Sequence, residues 1–451
     1  MSRVCILLIL FMTMLMFSCQ ENQQPVTGVN ETSLAKQSSG NIGINILLNT
    51  DITDAIVSDL ENFGNVLDVI NELNAIRVRA KADVLADIQA LPYVLAANPD
   101  AQRNAPPIDT VPVSDFDGGL STWNLDAINV TMGPGFATRN VSETGEGVIV
   151  GVLDTGLKDS WRQYFPEERI LTQYAKSFSG GGAGGTNVSE QPNKWEHDQN
   201  SHGTHVTSTI IGYSFYGTPV TGVAPMVEVV PVKVLNQNGS GWSSVIARGI
   251  VYMAELKMDH YPETPVVINM SLGGPVLDAI EKAAIDFAIS KGVIIVASAG
   301  NEGPDGMGYP GAYEPVISTA ASGWNYEWIV GPWWYALDVA EPTNPADFYI
   351  ADFSSMELPG QDLDVTAPGS WIVGPYQVQS GKTSYYYLGG TSMASPHVAG
   401  IVALMAQKYP ALTASEAESI LESTATWMPM YDANKQGHGL ALADAALAAT
   451  P

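Results

Sequence analysis

Four largely apolar runs mark the middle of the chain: Gly147–Leu153 (GVIVGVL), which is continuous, then Val227–Val234, Pro265–Met270 and Gly292–Ala297. Runs of this length without polar alternation suit strands buried on both faces of a parallel sheet. Between them lie segments with helical spacing, notably Val245–Leu256 and Ala279–Ser290. Strand alternating with helix predicts an α/β fold, a doubly wound and mostly parallel sheet with helices on both faces. The pattern is different upstream. Ile42–Leu48 is strand-like, Thr53–Phe63 helical, Val66–Ile70 and Ala75–Ala80 alternate, Ala82–Leu91 is helical and Tyr93–Ala97 closes the series. That βαββαβ order predicts a small α+β, ferredoxin-like unit.

These patterns divide the chain. Residues 1–18 begin with a basic residue and an apolar run, the layout of a secretory signal. Residues 19–40 form a polar tether, 41–104 the small unit, 105–120 a Pro- and Asp-containing linker, and 121–451 the large α/β domain. Met16-Phe17-Ser18-Cys19 ends the signal and resembles a bacterial lipoprotein box, so Cys19 is a candidate for lipidation, with ordinary cleavage near Ser18 the alternative. Either export route leaves at most one cysteine and no internal disulfide. Stability then rests on the core or on metal.

Composition narrows the partners. Acidic residues number 47 against 20 basic ones, a formal net charge of −27. Such a surface repels nucleic acid and anionic lipid, and a monomer acting on soluble partners is expected. Hydrophobic content of 45% provides for a sizeable core.

The chemistry-bearing residues sit at strand ends or helix starts. Asp154 terminates the first buried run, where a carboxylate needs donors or a cation. His202 and His205 open a helix-like run, Val206–Ile211. Their spacing would suit a metal, but there is no HExxH pattern and no third ligand of clear spacing, so His202 reads better as a proton-transfer base and His205 as structural. Asn301 lies between glycines after the fourth run and offers a side-chain amide. Ser392, in GGTSMASPHVAG from Gly389, precedes an apolar helical run. The unpaired N–H groups of a helix start favour negative charge beside its hydroxyl, which suits a nucleophile. Taken singly, each is also a turn Asp, a core His, a turn Asn or a helix cap.

Taken together, in the order Asp154, His202, Asn301, Ser392, they closely resemble the subtilisin-like serine proteases. The likeness is carried by VLDTG at Val152, DQNSHGTHV at Asp198, GVAP at Gly222, VKVLNQNGSG at Val232, INMSLGG at Ile268, ASAGNEG at Ala297, TAPG at Thr366, GGTSMASPHVAG at Gly389 and GHGLALADAA at Gly437. The resemblance implies that Ser392 attacks a peptide carbonyl, His202 carries its proton, Asp154 orients His202, and the Asn301 amide with the Ser392 N–H binds the oxyanion. It further implies that an extended substrate lies between Gly239-Ser240-Gly241 and Ser271-Leu272-Gly273. Ser298-Ala299-Gly300 would line the primary pocket, with Glu302 at its rim. The 41–104 unit resembles the family's inhibitory pro-domain, whose last segment occupies the active site until the enzyme cuts it. The expected partners are thus polypeptide substrates and the chain's own pro-domain, and the expected location is the cell surface or outer membrane through Cys19, or the medium after processing.

Several departures accompany the likeness. No cofactor is required; a structural calcium is possible, but the usual calcium loop is replaced by GYSFYGTP from Gly212, which offers no carboxylate or amide. Val206-Thr207-Ser208 replaces smaller residues after the second histidine, Ser179–Gly185 is an extra glycine-rich loop, and Gly323–Tyr349 inserts Trp324, Trp328, Trp333 and Trp334 between two expected strands. A catalytically silent peptide-binding protein on the same fold is the alternative function. An esterase is disfavoured because the Ser392 motif ends in Ala394 where a nucleophile elbow has glycine.

Overall fold

A computed structural model describes residues 40–104, 109–112, 122–133, 138–178, 193–327, 337–376 and 384–451. Cys19 and the rest of the leader, the Ser179–Gly185 loop, and Trp328, Trp333 and Trp334 lie outside the described residues.

The N-terminal unit runs β1 (Asn41–Leu48), α1 (Asp54–Leu60), β2 (Gly64–Ile70), β3 (Ala75–Lys81), α2 (Leu85–Gln89) and β4 (Val94–Pro99). Its antiparallel sheet has the order β2-β3-β1-β4, the ferredoxin-like arrangement. Ile44, Ile46, Ile76 and Val78 on one face of the sheet bury against Leu60 and Ile88 of the helices, forming a small separate core. Thr53 caps α1 by accepting from the Ile56 N–H, which starts the helix one residue later than the apolar spacing alone indicates. Two short strands follow, β5 (Gln102–Asn104) and β6 (Asp109–Pro112).

The large domain opens with α3 (Trp123–Ala127) and the pair β7 (Thr131–Met132) and β8 (Thr138–Arg139). Then come β9 (Ile149–Asp154), β10 (Lys176–Ser177), α4 (His202–Ile211), the hairpin β11 (Gly212–Phe215) and β12 (Thr218–Thr221), β13 (Glu228–Lys233), β14 (Ser240–Trp242), α5 (Ser243–His260), β15 (Val266–Met270), α6 (Ala279–Ser290) and β16 (Val293–Ser298). The last part comprises β17 (Ile317–Trp324), β18 (Phe348–Ile350), β19 (Val365–Pro368), β20 (Ile372–Pro375), β21 (Tyr385–Gly389), α7 (Thr391–Lys408) and α8 (Ala414–Thr424). The main sheet runs β10-β13-β9-β15-β16-β17-β18, with β19 also on β17. Every pairing in it is parallel except β17 with β18.

Alternate side chains show why both faces had to be apolar. Val150 and Val152 of β9 bury in the core that contains α4 and α7, while Ile149 and Leu153 bury in the core that contains α5 and α6. Gly151 on the second face has no Cβ for a reason: one would stand 2.7 Å from the Met253 methyl of α5. The four apolar runs are thus the four central strands β9, β13, β15 and β16, and their carboxyl ends converge on one edge of the sheet. In an open α/β sheet that edge is where ligands bind.

The tryptophan-rich insertion starts within β17, whose last residue is Trp324, and ends within β18. Its described parts fold back on the domain: Trp324 stacks on Trp123 of α3 at 6.3 Å, the Val339 N–H donates to Asp126 at 2.7 Å, and the Thr343 hydroxyl donates to Asn129 at 2.7 Å.

Candidate active site

Asp154 is the last residue of β9 and is fully buried. Its Oδ1 accepts the Thr155 N–H at 2.6 Å, and both oxygens stand 2.9 Å from Nδ1 of His202. His202 is the first residue of α4, reached through Ser201 in the left-handed region. The helix approaches the strand end closely because its second residue is Gly203, where a Cβ would lie 2.4 Å from the Gly156 carbonyl and 3.1 Å from Asp154 Oδ1. Nδ1 of His202 therefore carries the proton toward the carboxylate, and Nε2 is the basic nitrogen. Burial opposes charging His202, yet the Asp154 charge and hydrogen bond, with the Asp198 charge behind them, leave its pKa raised. His205 is different: burial, aided by repulsion from His202, pushes it down to about 3. It is a neutral packing residue whose Nε2 donates to the Ile372 carbonyl at 3.1 Å.

Ser392 is the second residue of α7, buried like His202. The helix carries Pro396, which has no N–H for the carbonyl four residues back. That carbonyl belongs to Ser392, and the Ser271 hydroxyl supplies the missing donor at 2.8 Å. Asn269 in turn donates to Ser271 Oγ at 3.1 Å and accepts from the Ser395 hydroxyl at 2.7 Å. Side chains from β15 and the segment after it thus hold the backbone of Ser392. The Ser392 hydroxyl donates to the Ser271 carbonyl at 3.4 Å, while Nε2 of His202 has no hydrogen-bond partner among the described residues. The serine–histidine bond is unmade in this state.

Asn301 sits in the turn after β16. Its Oδ1 accepts from the N–H and the hydroxyl of Thr391, at 2.9 and 2.8 Å. Thr391 Oγ1 also accepts from the Gly300 N–H at 3.1 Å. With its oxygen fixed on the residue before Ser392, the amide presents its NH₂ end away from α7's first N–H.

The two segments expected to hold substrate flank this group, and both pair with the chain's own backbone. Gln102–Asn104 (β5) pairs antiparallel with β14, in the register Arg103↔Gly241 and Asn104↔Ser240. Asn104 also exchanges both backbone bonds with Gly273, at 3.1 and 3.2 Å. Downstream, β6 pairs Asp109 with Gly389, three residues before Ser392. Gly239 makes the tight turn into β14, and Leu272 is wholly buried in the core that contains α5 and α6. A pocket of ≈ 390 Å³ opens beside Asn104, bordered by Gly273, Gly274, Gly300, Glu302, Met307 and Gly308. Gly300 takes part at φ +109, where a Cβ would meet Glu302 at 2.4 Å. Ser298 and Ala299 lie buried behind it, with the Ser298 hydroxyl donating to the Leu272 carbonyl at 3.5 Å.

The N-terminal unit docks through buried polar contacts. Asp100 accepts from the hydroxyls of Ser243 and Ser244, at 3.0 and 2.7 Å, and from the Ser244 N–H at 3.2 Å, capping α5 from outside. Arg77 pairs with the same carboxylate at 2.6 Å, both side chains 2% exposed. Asn45 and Asn98 donate to Asp278, the cap of α6, at 3.0 and 2.8 Å. Arg248 makes a two-pronged bond to Asp68.

The sequence reading did not name Asn269, Thr391, Asp198 or Lys233 as site residues. Lys233 ends β13 and is buried, donating to the Thr155 and Leu235 carbonyls at 2.6 and 2.8 Å and so fixing the turn after Asp154. Its place in VKVL, and that of Asp198 in DQNSHG, were the available signals.

For calcium, the GYSFYGTP stretch folds as the β11–β12 hairpin with Tyr213 and Phe215 buried, which does not fit a cation. Asp362, Asp364 and Glu418 fit one better, with ligand oxygens within 4.8 Å of one another. Asp364 is buried with Oδ1 unpartnered among the described residues, a donor set suited to a hard cation.

The comparisons with known proteins agree with this geometry. The subtilase family (peptidase S8) matches residues 145–442. Subtilisin DY of Bacillus licheniformis is 36% identical over 306 residues, 67% of this chain and 91% of that protein. Subtilisin of Bacillus pumilus is 36% identical over 296 residues, 65% of this chain and 88% of that protein. Among solved structures, fervidolysin from Fervidobacterium pennivorans, a keratinolytic enzyme related to subtilisin, shares the fold at TM-score 0.68 and 23% identity, over 91% of this chain and 61% of that one. The family match over residues 145–442 and relatives at 36% identity show that this chain belongs to the subtilases, as a serine-type endopeptidase acting on polypeptides.

Proposed function

We propose that the chain is the zymogen of an exported serine endopeptidase that processes itself. Ser392 adds to the scissile carbonyl as its proton passes to Nε2 of His202; His202 returns the proton to the leaving amine; water repeats the sequence on the acyl-enzyme. Asp154 holds Nδ1 protonated and stabilises the imidazolium. The Asn301 amide and the Ser392 N–H receive the oxyanion, since Asn301 is already oriented by Thr391. Substrate adds as a strand between Gly239–Gly241 and Ser271–Gly273 and presents a side chain to the pocket at Gly300 and Glu302.

One observation carries the zymogen reading: β5 holds the substrate edges while β6 pairs at Gly389, so backbone is fixed on both flanks of Ser392. In this reading the processed bond lies between Asn104 and Asp109. The polar docking surface at Asp100, Asp278 and Arg248 then keeps the severed unit 41–104 as an inhibitor. No described helix is long and apolar enough to cross a membrane. In this reading a lipid on Cys19 tethers the inhibitor, and cleavage frees the protease domain.

The test is N-terminal sequencing of protein made from the full chain. Wild type should yield a product starting at residues 105–109, and Ser392→Ala should stay uncut. Cutting of the serine variant at the same bond without added protease would exclude self-processing. A milder probe is Asn301→Ala. For the corresponding asparagine of subtilisin the loss is roughly 10²–10³ in kcat, and the same is expected here with KM nearly unchanged. A loss under about threefold would remove Asn301 from oxyanion binding.

A further inference from the structure

The tail that fills the substrate edges carries a charged side chain into the protein. Arg103, opposite Gly241 in the register, is 0% exposed, and so is its partner Glu281 in the first turn of α6. Nε of Arg103 stands 3.1 Å from Glu281 Oε2, and a second guanidinium nitrogen binds the same oxygen. The guanidinium also donates to the Val276 carbonyl at 2.7 Å and to the Gln102 carbonyl at 3.1 Å. Gly274 makes room for it: a Cβ there would lie 2.9 Å from Nη1 and 3.2 Å from Cδ of Arg103. The hole is therefore shaped and charged for one long planar cation. Glu281, Val276 and Gly274 belong to the protease domain and remain when the tail leaves.

The backbone fixes which substrate residue would enter. Asn104 exchanges both bonds with Gly273, so in an antiparallel continuation the residue two further along faces Ser271. The Ser271 carbonyl is the one that receives the Ser392 hydroxyl. A peptide residue at the place of Arg103 is thus the fourth before the cleaved bond. We infer that Glu281 makes this protease select polypeptides with arginine at the fourth residue before the bond it cuts. The inference rests on the proposed protease mechanism and names its substrate class. An arginine there regains the forked bond and the Val276 carbonyl, whereas an aliphatic side chain desolvates a carboxylate without pairing it. Lysine recovers the charge but not the fork.

The experiment uses enzyme matured from the full chain and the peptide anilides Xaa-Ala-Ala-Leu, with arginine, lysine, glutamine or leucine first, read as kcat/KM. Casein hydrolysis is measured on the same samples. Wild type is expected to prefer arginine over leucine by roughly 30-fold or more, the lower end for truncating a buried charged pair, with lysine between. Glu281→Leu should reverse the order. Glu281→Gln, which keeps size and polarity, should bring arginine and leucine within about threefold. Casein hydrolysis together with equal arginine and leucine rates in wild type would overturn the subsite and leave the protease mechanism standing. An arginine preference that survives in both variants would also overturn it. Loss of casein and peptide hydrolysis alike in wild type would sink the mechanism and the subsite with it.

Discussion

Ser392→Ala is expected to lower kcat by about 10⁶, the loss measured when the nucleophile of subtilisin itself is removed, while KM for peptides stays within a few-fold. The substitution deletes one oxygen, whose single described bond is the weak 3.4 Å contact to the Ser271 carbonyl. The carbonyl of residue 392 keeps its Ser271 donor, so the helix start stays intact. Folding should be unaffected, and unchanged circular dichroism would show it. Residual turnover above the uncatalysed rate is still expected, because the oxyanion donors and substrate edges remain. Labelling by a fluorophosphonate should vanish with the hydroxyl. A variant that retained more than a hundredth of wild-type peptide hydrolysis would mean that another group is the nucleophile.

The second large effect belongs to Asp154→Asn. The carboxylate does two things to His202: it keeps the proton on Nδ1, and it raises the pKa against burial. An asparagine can turn its NH₂ toward Nδ1 and force the proton onto Nε2, where the serine's proton has to go. The corresponding change in a serine protease triad costs about 10⁴ in kcat. The pH profile provides an independent readout. His202 must be neutral to act as base, so activity is present above its folded pKa and is lost as pH falls through it. Because that pKa is raised in the wild type, the acid limb of kcat/KM should lie above the ordinary histidine range. Without the Asp154 charge, burial dominates, and the limb should move to lower pH. An acid limb that stayed in place in Asp154→Asn would assign it to another group; Asp198 is one such group, its own pKa raised mainly by burial.

The state described is a closed one, and its chemistry is consistent with latency. Both segments proposed to hold substrate carry the chain's own backbone, the Ser392 hydroxyl is on a carbonyl, and Nε2 of His202 is unpartnered among the described residues. The N-terminal unit is held by apolar contacts of Ile70 and Ala75 with the core around α5 and α6, and by ion pairs, of which Arg103–Glu281 is fully buried. Such pairs are sensitive to losing one member, because the other is left uncompensated.

The amino-acid sequence by itself determined the sheet. Gly147–Leu153, Val227–Val234, Pro265–Met270 and Gly292–Ala297 have too few polar positions to be anything but strands covered on both faces, and they form β9, β13, β15 and β16 within two residues at either end. It also singled out Asp154, His202, Asn301 and Ser392 as candidates, because each sits in a local motif at a strand end or helix start. What depends on contacts between distant segments was invisible there. Arg103 lies in an ordinary polar tail and Glu281 in the ordinary acidic first turn of a helix; their pairing spans 178 residues and exists only because β5 lies beside β14. The replacement of Pro396's missing N–H by the Ser271 hydroxyl is likewise a meeting of two elements 121 residues apart. Local spacing sets which segments are strands and which side chains can react. Only close packing of the folded chain decides which buried charges and carbonyls find partners, and here that decided how the cleft is blocked and which side chain it is built to hold.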